Sequence, residues 1–144
     1  PDNQGMHELD DACCVYVEMG NTYFVTYHVR RSGLDKAIAS LVSRGGIYGG
    51  ASAGAILAGR TLRTCEWKNW DDPGYGKYWD LTKTVHGLDG LNLLIDGKSI
   101  FPHYSMQWKN RVEEMKTKHT EEVIILDEST AYIQDNDGGR LISD

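Results

Sequence analysis

The chain has 144 residues, a formal net charge of −6, 40% hydrophobic and 25% charged residues. That is enough for one domain with a sizeable core, and the composition is ordinary for a globular protein. No apolar run approaches the ~20 residues that span a bilayer, and the negative balance disfavours nucleic acid or an anionic membrane as the main partner.

Residues 1–11 are polar and read as a loop or the tail of a missing connection. Residues 12–18 predict a buried strand. Its opening cysteines, Cys13 and Cys14, read as buried thiols. With Cys65 they make an odd number without metal-site spacing, which points to a reducing compartment, cytoplasmic or organellar. Asn21 or Thr22 caps a helix through Tyr23, Phe24, Tyr27 and Val29. Ser32-Gly33 interrupts it, and Ala37, Ile38, Leu41 and Val42 then share one face of a second helix. A short β-leaning run, Gly46-Ile47-Tyr48-Gly49-Gly50, precedes a small apolar helix over residues 53–58.

Residues 66–79 carry Trp67, Trp70, Tyr75, Tyr78 and Trp79 among Asp, Gly and Pro, and read as an extended loop or β-excursion. Its aromatics shape a pocket, form an interface for a second copy or an assembly partner, or pack on their own body. Residues 99–101 predict a strand, 108–118 a helix and 123–126 another strand. Residues 131–134 and 140–142 form a hairpin around Asn136-Asp137-Gly138-Gly139. Strands alternating with helices give an α/β layering; no repeat, low-complexity tract or linker divides the chain.

The chemistry concentrates in Gly50-Ala51-Ser52-Ala53-Gly54, a G-x-S-x-G sequence between a strand and a helix. A sharp strand-to-helix turn holds such a serine strained and exposed above the sheet edge, and the helix start aims free N–H groups at an oxyanion. The bland reading is a glycine-rich structural turn. A serine needs a base to become nucleophilic, and histidine titrates near neutrality. His7, His28, His86 and His119 sit in a polar stretch, a helix, a turn approach and a helix end. His103, in Phe101-Pro102-His103-Tyr104, follows a strand and is the candidate base.

Four ordered segments, Met19-Gly20-Asn21-Thr22-Tyr23, Gly50-Ala51-Ser52-Ala53-Gly54-Ala55, Leu88-Asp89-Gly90-Leu91-Asn92 and Phe101-Pro102-His103-Tyr104, resemble peptidase family S51, that of aspartyl dipeptidase (peptidase E) and cyanophycinase. The resemblance implies a mostly parallel central sheet flanked by helices, in the three-layer nucleophile-elbow architecture of class I glutamine amidotransferases. It also implies that residues 1–144 are the C-terminal two-thirds of the usual domain, with N-terminal strands missing.

By the same resemblance Ser52 is the nucleophile and His103 the base, and the N–H groups of Gly20 and Ala53 are the oxyanion donors. The third member is an acid some fifteen residues after the serine. A gapless count lands on Trp67, so Glu66 is the choice, with Asp71 and Asp72 a little later. Arg111 and Arg63 are the candidate cations for an acidic peptide substrate, and no metal or organic cofactor is implied. Glu18-Met19 stands where the family has further glycines. The implied activity is hydrolysis of aspartyl dipeptides or related acidic peptides through an acyl-enzyme. The competing reading is an inactive S51-like domain serving as an interaction or structural subunit. A glutamine amidotransferase itself would need a cysteine at position 52.

Overall fold

A computed structural model describes residues 9–120 and 122–144; His7 and most of the loop expected over residues 1–11 lie outside these. The fold is α/β. Strand β1 (Cys14–Val17) pairs in parallel with β2 (Ile47–Gly50), from Cys14↔Ile47 to Val17↔Gly50. The crossover between them is helical. In α1 (Thr22–Ser32) the Asn21 side chain accepts the Phe24 N–H at 3.0 Å, which satisfies one of the helix's first free donors. Gly33, at φ 80, ends α1 and opens α2 (Leu34–Ser43), which buries Ala37, Ile38 and Leu41.

β1 is not the buried strand expected. Among the described residues it pairs with β2 alone, and the face carrying Val15 and Val17 packs on the core while Tyr16 and both leading cysteines are exposed. Cys65 alone of the three is buried.

All six residues of α3 (Ala53–Ala58) are buried, and the helix packs on β1, β2 and β3. This contact is backbone on backbone: a Cβ at Gly54 would stand 2.0 Å from the Val17 carbonyl oxygen. Beyond α3, the carbonyls of Leu57, Ala58 and Gly59 accept the N–H groups of Leu91, Leu93 and Asn92 at 2.7, 2.9 and 2.9 Å. A Cβ at Gly90 would lie 2.0 Å from the Gly59 oxygen. The Leu88-Asp89-Gly90-Leu91-Asn92 segment is therefore a main-chain clip on the end of the buried helix.

Strand β3 (Ser99–Phe101) pairs in parallel with β4 (Val123–Ile125) through α4 (Lys109–Lys118), with Phe101 opposite Ile125. β5 (Thr130–Asp135) and β6 (Gly138–Ser143) form the expected antiparallel hairpin. Instead of one central sheet, the described strands make three two-stranded sheets. β2 and β3 share α3 but no hydrogen bond, and a cavity of about 720 Å³ opens between β2 and the strand ends of the second pair.

Residues 66–79 form no strand. Trp67 is buried against Phe101, ring centroids 5.2 Å apart, and Trp79 meets Phe24 edge-on at 5.6 Å. Trp70, Tyr75 and Tyr78 stay exposed. Among the described residues no helix is long and apolar enough to cross a membrane.

Gly54→Ala drives a methyl into the Val17 carbonyl and should destabilise the fold by about 1–3 kcal/mol or more. Urea unfolding followed by far-ultraviolet circular dichroism measures this; an unchanged midpoint would refute the backbone contact.

Candidate active site

Parallel strands run in one direction, so the residues just beyond their C-terminal ends collect at one edge. Ser52 comes two residues after β2, His103 two after β3 and Glu128 three after β4. Phe101 and Ile125 are register partners, so His103 and Glu128 leave neighbouring strands together. His103 Nδ1 lies 2.6 Å from Glu128 Oε1.

Local bonds hold both ends. The Leu126 N–H donates to the Phe101 carbonyl at 3.0 Å, and the Tyr104 N–H to the Leu126 carbonyl at 2.8 Å. Asp127 Oδ1 accepts the Ser129 N–H and the Ser129 hydroxyl, each at 2.9 Å. The Asp127 N–H donates to Thr130 Oγ1 at 2.9 Å. The Ser129 amide and hydroxyl hold the Asp127 carboxyl below its usual range. Asp127 thus builds the turn, and the turn presents Glu128.

Ser52 has φ 52 and ψ −109, a left-handed conformation that serine adopts only under constraint. It stands at the N-cap of α3, but its side chain makes no capping bond. Ser52 lines both cavities at this edge, the large one and a neighbour of about 40 Å³, and His103 lines both as well. His103 is itself at φ 55. The Ala53 N–H is the first of α3, where helix donors lack intrahelical partners. Gly20 follows β1 by three residues, at φ 157 and exposed; Glu18 and Met19 beside it are exposed too.

The acid expected from the sequence is elsewhere. Glu66 is not the carboxylate on His103: its Oε1 accepts the Tyr23 hydroxyl at 3.3 Å. Residues Arg63–Trp67 form a 3-10 turn that buries Cys65 and sends Glu66 toward α1. Asp71 Oδ2 accepts the Thr22 N–H at 3.0 Å, the Asp72 carbonyl accepts the Asn21 side-chain amide at 2.9 Å, and the Asp72 carboxylate pairs with Lys77. Glu66 and Asp71 tie the loop to α1 by their carboxylates and Asp72 reaches Asn21 by its carbonyl. Burial pushes the Cys65 thiol up to about 12, so this cysteine next to Ser52 stays protonated and inert.

Neither expected arginine reaches the serine. Arg111 donates to the Trp67 carbonyl at 3.3 Å and pairs with Glu114 at 3.1 Å, and Arg63 is exposed; neither lines either cavity. Lys68 does. Glu128 and Lys68 escaped the sequence reading. The signal for Glu128 lay in an acid just beyond a β-run that could pair with the histidine's strand.

The profile of peptidase family S51 matches residues 2–142. An uncharacterized peptidase of Listeria monocytogenes is 33% identical over 94 residues, which are 63% of this chain and 40% of that protein. Peptidase E of Escherichia coli O1:K1 / APEC is 35% identical over 97 residues, 67% of this chain and 36% of that protein. This chain thus matches well under half the length of these relatives. A crystal structure from Listeria monocytogenes EGD-e, of a protein provisionally assigned as peptidase E, has a TM-score of 0.75 at 22% identity. It covers 96% of this chain and 63% of its own, and the likeness is one of fold.

The strain at position 52 is itself measurable. Ser52→Gly should be more stable than Ser52→Ala by about 1 kcal/mol, since glycine alone adopts positive φ freely. Differential scanning calorimetry reads the order; alanine above glycine would show that the conformation is unstrained.

Proposed function

The chain belongs to peptidase family S51, and we propose that it carries the serine and histidine of a peptidase that hydrolyses aspartyl dipeptides or related acidic peptides through an acyl-enzyme. The observation that carries this reading is the 2.6 Å contact of His103 with Glu128 at the cavity edge where the strained Ser52 stands.

The mechanism follows from the two ring nitrogens. With Glu128 at Nδ1, the imidazole keeps its proton there and presents Nε2 as the acceptor. His103 then takes the Ser52 proton as Oγ attacks the peptide carbonyl. The resulting oxyanion is met by the Ala53 N–H at the start of α3 and by the Gly20 N–H, donors that need little reorganisation as charge develops. The imidazolium, stabilised by the Glu128 carboxylate, returns the proton to the leaving amine. Water, deprotonated by the same imidazole, hydrolyses the ester and frees Ser52. Glu128 is largely solvent-exposed, with 79% of its side chain accessible, so its main contribution is orientation rather than a strong buried charge.

Hydrolysis of aspartyl-leucine and labelling by a fluorophosphonate test this reading. Ser52→Ala and His103→Ala should each lower kcat/KM by ~10³-fold or more, and Glu128→Ala by roughly 10²–10⁴-fold. Glu66→Gln should leave turnover essentially unchanged. Wild-type protein no more active than Ser52→Ala, and unlabelled while folded, would instead favour a non-catalytic interaction subunit.

A further inference from the structure

Lys68 follows the 3-10 turn Arg63–Trp67 and, among the described residues, is the one lysine or arginine lining either cavity at Ser52. It shares the smaller cavity with Ser52, His103, Thr64 and one carboxylate, that of Asp71. Its Nζ donates to the Pro102 carbonyl and stands 4.5 Å from the Trp70 ring centroid and 4.4 Å from that of Phe101. No carboxylate of the described residues lies within ion-pair distance of it. The acids around it are engaged, Asp71 by the Thr22 N–H and Glu128 by His103.

A lysine normally carries its ammonium out to water along its stem. Here the half-buried side chain turns its charge toward the site, with one carbonyl and two aromatic faces as its direct contacts. Ring faces and a carbonyl attract a cation, and Glu128 and Asp71 favour its charge without forming an ion pair with it. An anion entering beside Ser52 would give the ammonium a direct ion-pair partner, and the volume of about 40 Å³ suits a small charged group.

We infer, on the reading of Ser52 as the attacking serine, that Lys68 is the specificity-determining residue and binds the side-chain carboxylate of the residue whose carbonyl Ser52 attacks. The cation is present at neutral pH. Burial lowers the Lys68 ammonium to about 8, opposed by Glu128 and then Asp71. With those acids, His103 and Cys65 are the titratable groups facing it. Its charge is complete well below pH 8 and is lost as the pH rises through that value.

Binding to the Ser52→Ala protein, measured by calorimetry, separates this role from the chemistry. Aspartyl-leucine and asparaginyl-leucine have nearly the same shape and differ in one charge. Adding Lys68→Met should weaken aspartyl-leucine about 10- to 100-fold, the worth of one charge-assisted hydrogen bond, and leave asparaginyl-leucine unchanged. Lys68→Arg should restore most of the loss. Above about pH 8, aspartyl-leucine affinity should also fall more steeply with Lys68 in place than in the Lys68→Met protein, a comparison that corrects for the ligand's own amine. Equal losses for both dipeptides would mean that Lys68 only positions the Pro102-His103 turn, and the proposal fails. No binding of aspartyl-leucine, or no effect of Lys68→Met, overturns it as well. Binding that follows the expected pattern in a protein without turnover would instead reject the serine chemistry and keep the carboxylate site.

Discussion

The contact between the start of α3 and the ends of β1 and β2 is what the rest of the structure depends on. Gly54 sits against the Val17 main chain with no room for a side chain, and the Tyr48 hydroxyl donates to the Gly54 carbonyl at 2.7 Å. With strand and helix this close, the chain has two residues in which to reverse. Ser52 absorbs the reversal at φ 52. The helix can come so near because its own sequence, Ala-Gly-Ala-Ile-Leu-Ala, is small at the contact and apolar where it enters the core. The clip by residues 88–93 then satisfies carbonyls at the far end of α3, which would otherwise be buried without partners.

A second dependence runs through the parallel pair β3–β4. Its register sets His103 beside Glu128, and the Asp127 turn keeps Glu128 there. The carboxylates of this region divide their work by position. Asp127 shapes a turn and Asp71 binds the main chain of α1, while Glu66 meets a tyrosine whose hydroxyl is driven up chiefly by burial. The one lysine or arginine among the described residues that lines these cavities is Lys68, with Trp70 and Phe101 against its ammonium. The aromatic loop therefore serves two ends: Trp67 and Trp79 anchor it to the core, and Trp70 reaches the His103 ring at 6.2 Å.

Much of the fold was legible because local rules agree with the tertiary result. Asn21 caps α1, Gly33 breaks the helices, Ala37, Ile38 and Leu41 share a buried face, and the Asn136-Asp137 turn joins a hairpin. The extent of β1's burial was not legible, because its apolar composition does not say whether a layer packs on one face or on both. The same holds for the sheet, since a pattern of β-runs does not state which edges are bonded.

At the site, the sequence by itself determined the strand–Gly-x-Ser-x-Gly–helix junction and the strand-end histidine, because both are short-range patterns with few conformations open to them. Only the tertiary structure decided which acid meets His103 and which cation meets the cavity. Glu66 lies fourteen residues from Ser52, but a 3-10 turn points it at Tyr23; Glu128 lies twenty-five residues beyond His103, but a parallel register brings them to 2.6 Å. Charged side chains are alike in sequence, and their roles follow from which strand ends and turns the fold sets side by side.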